Sequence, residues 1–379
     1  MRKLASVQVI QDLTPIPNAD RIETAHVLGW EAVVKKGDFK VGDKCVYIEI
    51  DSLLPEDNPA FDFLKDSKGK IERIRTKKLR GQISQGLIMP MSILPEDHEV
   101  GDDVTKVLKI KKWEPDLWNR PADKRPSRLV RKYSGKWANR LLYNKPWTNW
   151  FSRYLFTQTA KSFPDFINRT DETRCQAMPE VVAYYAGTDC AVTEKMDGSS
   201  ITIWFDDKLK LHVASRNLEV LDTSNYFWKA VINEDIEDKL RACFVSNLDK
   251  LKWLCLQGEL CGPNIQGNKY KFKQKGIFFF NILYCNPVRY LSLANLCDLT
   301  TRCGLKTVPI LDMQYKLPSD IASIVDMSKG ESYYGNTPRE GVVVRPEPPI
   351  IDHNGFPGMV GNRVSFKAIN PEFLLKYKL

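Results

Sequence analysis

Lys195 stands in the stretch Glu194-Lys195-Met196-Asp197-Gly198-Ser199-Ser200, with a carboxylate two residues beyond it. A lysine amine attacks phosphorus only when neutral, and its free pKa is about 10.4. Desolvation or neighbouring positive charge would lower that value and activate it. In an extended segment Asp197 would share a side with Lys195, and Glu194 would face the other way. A carboxylate at Asp197 suits a water molecule held on Mg²⁺. Five further stretches follow in order: Ser215-Arg216-Asn217, Gly258-Glu259-Leu260, Phe278-Phe279-Phe280-Asn281-Ile282, Glu340-Gly341-Val342-Val343-Val344-Arg345 and Ser365-Phe366-Lys367. Arg216 has the planar fork that grips phosphate or ribose. Glu259 and Glu340 are acceptors for a ribose hydroxyl or for metal-bound water, and Lys367 is a second cation for the field around Lys195. Each stretch alone also fits a plainer role. Lys-x-Asp-Gly makes a surface turn, Glu259 and Glu340 can be solvated strand ends, and Phe278–Phe280 reads as strand core.

Taken together and in this order, the six stretches resemble the motif set of the covalent nucleotidyltransferases, the polynucleotide ligases and mRNA capping enzymes. The resemblance implies that Lys195 takes AMP from ATP as a phosphoramidate, with Lys367 bridging the α-phosphate. It implies that Glu194 lies near the adenine edge and that Phe280 stacks on the base. Asp197, Glu259 and Glu340 are then expected to hold Mg²⁺ or Mn²⁺ through water. Arg174, in Asp171-Glu172-Thr173-Arg174-Cys175-Gln176, resembles an arginine that contacts AMP or the 5′-phosphate in RNA ligases. The Gly-, Asn- and Lys-rich run from Gly262 to Tyr270 reads as a loop over the site. Three positions depart from the usual pattern: Ser200 replaces an arginine, Asn281 an acidic residue, and Ser365 the first lysine of Lys-x-Lys.

Elements that could position these groups fall into three parts. Residues 1–105 read as all-β, with β-branched runs such as Trp30–Val34 and Cys45–Ile50 set between turn signals. Together with Gly81-Gln82-Ile83-Ser84-Gln85-Gly86, this part resembles the N-terminal OB-like barrel of the Deinococcus/Naegleria-type RNA ligases. From 166 to 379 the chain mixes strands and helices. Thr202–Phe205 and Leu211–Ala214 form a hairpin pattern, Ile277–Leu283 and Gly341–Arg345 read as buried strands, and Asn225 to about Asp249 reads as helical. The expected fold class is therefore α+β, an OB-like β-barrel followed by a nucleotidyltransferase (adenylyltransferase) domain of antiparallel sheets and helices. Only twelve residues follow Lys367, so no C-terminal OB domain of the DNA ligase kind is expected.

Residues 106–165 are expected to be a connector broken by prolines. Between 106 and 170 there are sixteen Lys or Arg and four Asp or Glu, and five of the nine tryptophans. Basic charge with indoles suits a polyanion; a solvated strap packed on a neighbouring domain fits the same composition. The whole chain carries +9 over 379 residues. No apolar run reaches membrane-spanning length, and the N-terminus lacks a signal-peptide core. Nine cysteines without a Cys-x-x-Cys pair, and four scattered histidines, argue against a disulfide frame or a zinc centre.

The expected function is an ATP-dependent RNA ligase sealing 3′-OH and 5′-phosphate ends through lysyl-AMP and an adenylylated RNA 5′ end. Its partner would be RNA, as a nicked duplex or free ends, an RNA–DNA hybrid among them. A monomer in the cytoplasm is expected, the host's if the chain is phage-encoded. Two alternatives stand beside it: a non-catalytic nucleic-acid-binding protein, and a GTP-using capping-type enzyme, which Ser200 disfavours.

Overall fold

Along Trp30–Lys35, residues Trp30, Ala32 and Val34 are buried while Glu31 and Lys35 face out. This two-residue period is what a strand with one wet face requires. The computed structural model describes residues 3–113, 125–126, 156–157, 159–335, 337–356 and 359–379. Most of the basic, Trp-rich connector expected at 106–165 lies outside the described residues. The N-terminal part holds two three-stranded antiparallel sheets. One orders Ala5–Val9, Lys44–Ile48 and Leu87–Pro90; the other orders Asp12–Pro15, Ile22–Val27 and Trp30–Lys35. Trp30 and Tyr47 meet at 6.1 Å between ring centres inside this barrel.

The chain forms two compact units. The first takes in Met1–Pro115, Asp171–Met196 and Pro309–Leu379; the second takes in Asp116–Thr170 and Asp197–Val308. In the first, a five-stranded sheet orders Thr173–Arg174, Phe366–Ile369, Gly341–Pro346, Asp189–Lys195 and Ile310–Lys316. Only the outermost pair, Thr173–Arg174 with Phe366–Ile369, runs parallel. The barrel shares its core with this part of the chain. Ile369 and Leu374 pack with Ile10, Trp30 and Tyr47. Leu374 belongs to the last helix, Pro371–Tyr377, which starts with proline and is capped by the Asn370 side chain. Gly29 donates its N–H to the Gln176 carbonyl at 3.1 Å. A Cβ at Gly29 would stand 2.5 Å from Ile321 and 2.9 Å from the Gln176 backbone, so only glycine permits that approach.

The second unit is built on a sheet with the path Ala160–Ser162, Leu218–Val220, Leu211–Ser215, Ser199–Phe205, Leu254–Cys261, Gly276–Cys285 and Val288–Tyr290, and Lys306–Thr307 also pairs with the Gly276–Cys285 strand. Ile201, Ile203, Leu254 and Leu256 join one core with Val231, Leu240 and Leu299, from three helices. Their alternates Trp204 and Cys255 join another core with Phe163 and Ile167, so both faces of the sheet are covered. The hairpin expected from Thr202 to Ala214 pairs Ile201 with Ser215. The single helical stretch expected from Asn225 to about Asp249 is two α-helices, Tyr226–Asn233 and Ile236–Cys243, then a 3₁₀ turn at Leu248–Leu251. Asp235, at φ 50°, breaks the run. All nine cysteines are free thiols. Among the described residues no helix is long and apolar enough to cross a membrane.

Candidate active site

Lys195 is the last residue of its strand, and Gly341 is its register partner. Glu340 therefore leaves the neighbouring strand beside it, and Lys195 Nζ donates to Glu340 Oε1 at 2.7 Å. Gly341 is required there, because a Cβ would lie 2.1 Å from the Ala368 carbonyl. The other oxygen, Glu340 Oε2, is buried and meets no donor among the described residues. Lys367 sits one strand further out, with Val343 and Arg174 as register partners on its two sides. Its amine reaches Asp171 Oδ1 at 3.2 Å. Burial pulls the Lys367 amine down from 10.5 to about 8; Asp171 opposes the shift, and the charges of Lys195 and Arg174 add to it. The sheet thus gathers Lys195, Glu340, Lys367 and Arg174, which are spread over nearly two hundred residues of sequence.

Glu194 points away from that group and is almost fully buried. It accepts from Ser332 Oγ at 2.5 Å and from the Tyr333 N–H at 2.9 Å. Burial raises its pKa, against the pull of those two hydrogen bonds and of Arg339, while Glu340 pushes it further up. Two groups unforeseen in the sequence brace the same sheet. Glu172 pairs with Arg345 at 2.7 Å. Burial would raise its pKa, but the charges of Arg345 and Arg363 outweigh that and lower it. Ser365, at the position of the first lysine of Lys-x-Lys, is buried, and its hydroxyl meets no hydrogen-bond partner among the described residues.

In the second unit Asp197 lies outside any strand, as Met196–Gly198 carry no ladder. The alternation argument that put Asp197 on the Lys195 side does not extend to it. Its carboxylate is held by Lys269 Nζ, with both side chains nearly buried, and its N–H donates to Tyr270 Oη at 2.7 Å. The Gly262–Tyr270 loop thus grips Asp197. A Cβ on Gly198 would stand 2.8 Å from Glu259 Cγ and 2.6 Å from the Leu260 carbonyl, so this turn presses against the Glu259 strand. Glu259 pairs with Ser200 on one side and Phe278 on the other.

The three phenylalanines separate cleanly. Gln257 pairs with Asn281 and Gly258 with Phe279, leaving Phe280 as the extra residue of a bulge. Bulges re-aim side chains. Phe278 and Phe279 are buried, whereas Phe280 is half-exposed. Asn281, expected to be acidic, donates to Gln257 Oε1 at 2.9 Å, and Gln257 in turn donates to the Asn168 carbonyl at 2.8 Å. The amide at 281 closes a buried network that a carboxylate would break. Arg216 follows the Leu211–Ser215 strand, as expected, and is half-buried. Among the described residues no three His, Cys, Asp or Glu side chains cluster as a metal cage.

The RNA ligase family model matches residues 188–369, and an OB-fold domain model matches residues 4–91. A variant of Naegleria gruberi RNA ligase with ATP and Mn is similar at 34% identity, covering 100% of this chain and 99% of that one with a TM-score of 0.75. The Naegleria gruberi RNA ligase with pyrophosphate matches at 34% identity over 100% and 99%, TM-score 0.74. Another variant, with AMP and Mn, matches at 34% over 100% and 99%, TM-score 0.76. No curated protein sequence matches. With an α+β architecture, an N-terminal OB-fold domain and full-length similarity to the Naegleria enzyme, the chain belongs to the RNA ligase family.

Proposed function

We propose that Lys195 forms lysyl-AMP from ATP and that the chain then joins a 3′-OH to a 5′-phosphate on RNA. The observation that carries this is the convergence of Lys195, Glu340 and Lys367 on adjacent strands of one sheet. In the first step the Lys195 nitrogen bonds to the α-phosphorus, the α–β phosphoanhydride breaks and pyrophosphate leaves. The amine gives up a proton, and Glu340 Oε1 is the acceptor already hydrogen-bonded to it. Lys367 supplies charge for the α-phosphate. Next a 5′-phosphate oxygen displaces Lys195 from phosphorus, giving a 5′-adenylylated strand. Finally the 3′-OH attacks the 5′-phosphorus and AMP leaves. Positioning and charge are what phosphoryl transfer asks of a protein.

The solved relatives are described with ATP or AMP and Mn, which supports ATP and a divalent ion here. The residues fit such an ion: Glu340 Oε2 is a buried oxygen that meets no donor among the described residues, and Asp197 already balances a cation. Asp197, Glu259 and Glu340 would hold it, Mg²⁺ or Mn²⁺, through water. When bound it supplies positive charge to the phosphates. For the nucleotide we assign Phe280 to the base, Arg174 and Arg216 to phosphate or ribose, and Glu194 to the adenine edge, the last by way of the segment it anchors.

We assign the OB role to 1–105, a polyanion-binding connector to 106–165 and adenylyl transfer to 166–379. Nine free thiols suit an intracellular setting, and we expect a monomer acting on nicked duplex, RNA–DNA hybrids included. Lys195→Ala tests the proposal. It should lose ATP-dependent sealing yet still join a pre-adenylylated strand, and normal ATP-dependent sealing would refute it.

A further inference from the structure

Arg174 ends the shortest strand of the Lys195 sheet. Thr173–Arg174 is two residues long, lies at the sheet's edge and pairs with Phe366 and Lys367. A 3₁₀ turn, Cys175–Ala177, follows at once. So short a ladder fixes the backbone of Arg174 but not its side chain, which keeps much rotamer freedom. Holding that guanidinium beside Lys367 needs contacts from elsewhere.

Those contacts come from the OB-fold domain. The hairpin joining Ile22–Val27 to Trp30–Lys35 turns through Leu28 and Gly29. Its tip lies against the turn that follows Arg174: the Gly29 N–H donates to the carbonyl of Gln176, a fully buried residue, at 3.1 Å. One residue on, the Trp30 ring faces the Arg174 guanidinium, with Cζ 5.6 Å from the ring centre. The negative face of an indole attracts a guanidinium, more strongly away from water, and Trp30 is only 1% exposed. Trp30 also shares its core with Ile369, in the strand that carries Lys367. The hairpin is therefore braced on the Lys367 strand while it holds Arg174.

The tip adds an independent observation. Leu28 sits at φ 54°, an outlying conformation for a bulky side chain. A Cβ on Gly29 would stand 2.9 Å from the Gln176 Cα. Strained backbone persists only where its surroundings over-determine it. This tip is held between the barrel core, where Leu28 packs, and Gln176.

We propose that Gly29 and Trp30 are positioning residues that set the Arg174 guanidinium beside Lys367 for adenylyl transfer. The barrel thereby serves the chemistry through a protein contact. The inference rests on the assignment of Arg174 to phosphate or ribose.

The test measures two rates separately, AMP loading of Lys195 from ATP and joining of a pre-adenylylated nicked RNA. Gly29→Ala, Trp30→Leu and Trp30→Phe are made in the full-length chain, each with and without Arg174→Ala. Gly29→Ala and Trp30→Leu should slow the same step that Arg174→Ala slows. The loss should be roughly 10- to 100-fold, the scale on which a small misplacement of a reacting group acts. Trp30→Phe keeps an aromatic face under the guanidinium and should recover most of that loss. None of the three should cause further loss in the Arg174→Ala background, whereas a general weakening of the fold would lower both backgrounds alike. Gly29→Ala decides the matter where Trp30→Leu does not fold, since its methyl enters the joint with Gln176 and not the barrel core. Wild-type rates in Gly29→Ala and Trp30→Leu, or equal losses with and without Arg174, would overturn the proposal while leaving the role of Arg174 intact. Arg174→Ala acting like wild type would overturn both together.

Discussion

Lys195 Nζ and Glu340 Oε1 lie 2.7 Å apart although 145 positions separate them in sequence. The contact follows from register, since Lys195 faces Gly341 across two antiparallel strands. Glu340→Gln keeps the shape and removes the proton acceptor. Single-turnover transfer of labelled AMP to the protein should fall by roughly 10²-fold or more, the usual scale for losing a positioned acid–base group. A wild-type rate in this variant would remove Glu340 from the proton path.

The Lys367 amine, with its pKa lowered by burial to about 8, sets a pH limit. Below that value it is charged and can stabilise phosphate; above it the charge is lost. The second-order rate of adenylylation at low ATP, which reports the free enzyme, should fall as pH rises through about 8. Asp171 holds the charge on, so Asp171→Asn should move the falling limb to lower pH. Lys367→Arg should remove the limb, because a guanidinium stays charged throughout. A limb that stays in place in both variants would assign it to another group.

Lys269 pairs with the Asp197 carboxylate. An ion using Asp197 competes with that amine. Lys269→Met should tighten Mn²⁺ binding in an EPR titration without nucleotide by roughly 3- to 10-fold, about 1 kcal/mol. Unchanged or weaker binding would mean that the ion does not use Asp197 or that Lys269 assists it.

Phe279 and Phe280 are neighbours with opposite expected phenotypes. Phe279→Ala opens the core and should cost about 3–5 kcal/mol of stability, read by denaturant unfolding. Phe280→Ala should leave stability nearly intact and raise the KM for ATP, because the bulge turns this ring out of the core. A stability loss at Phe280 equal to that at Phe279 would make it core.

Glu172 neutralises two arginines that are themselves nearly buried. Glu172→Ala strands those cations and should lower stability by about 3–5 kcal/mol, with a matching drop in Tm. A Tm within a degree or so of wild type would show the network to be solvated.

Much of this was legible in the sequence because strand period and turn chemistry are local. The buried strand at Gly341–Arg345 and the hairpin from Thr202 to Ala214 follow from such patterns. The helical run after Asn225 was legible in type but not in its break, since nothing around Asp235 forbids a continuous helix. The order of the stretches marked Lys195, Glu340 and Lys367, but not which strands lie side by side. The parallel pairing that sets Arg174 beside Lys367 is a long-range choice. The partners Asp171, Glu172, Lys269 and Ser332 were missed for that reason: each is an ordinary polar residue until the fold supplies its counterpart. Phe280 was separated from its neighbours only by the bulge, a one-residue register shift that no periodicity in 278–282 announces.

The most direct measurement is the intact mass of the purified protein after incubation with a divalent ion and either ATP or GTP, with Lys195→Ala in parallel. One AMP adduct is expected from ATP alone, absent in the variant and reversed by pyrophosphate. An AMP adduct that persists in Lys195→Ala would contradict it, as would no adduct from ATP with either Mg²⁺ or Mn²⁺ once any pre-bound AMP has been discharged.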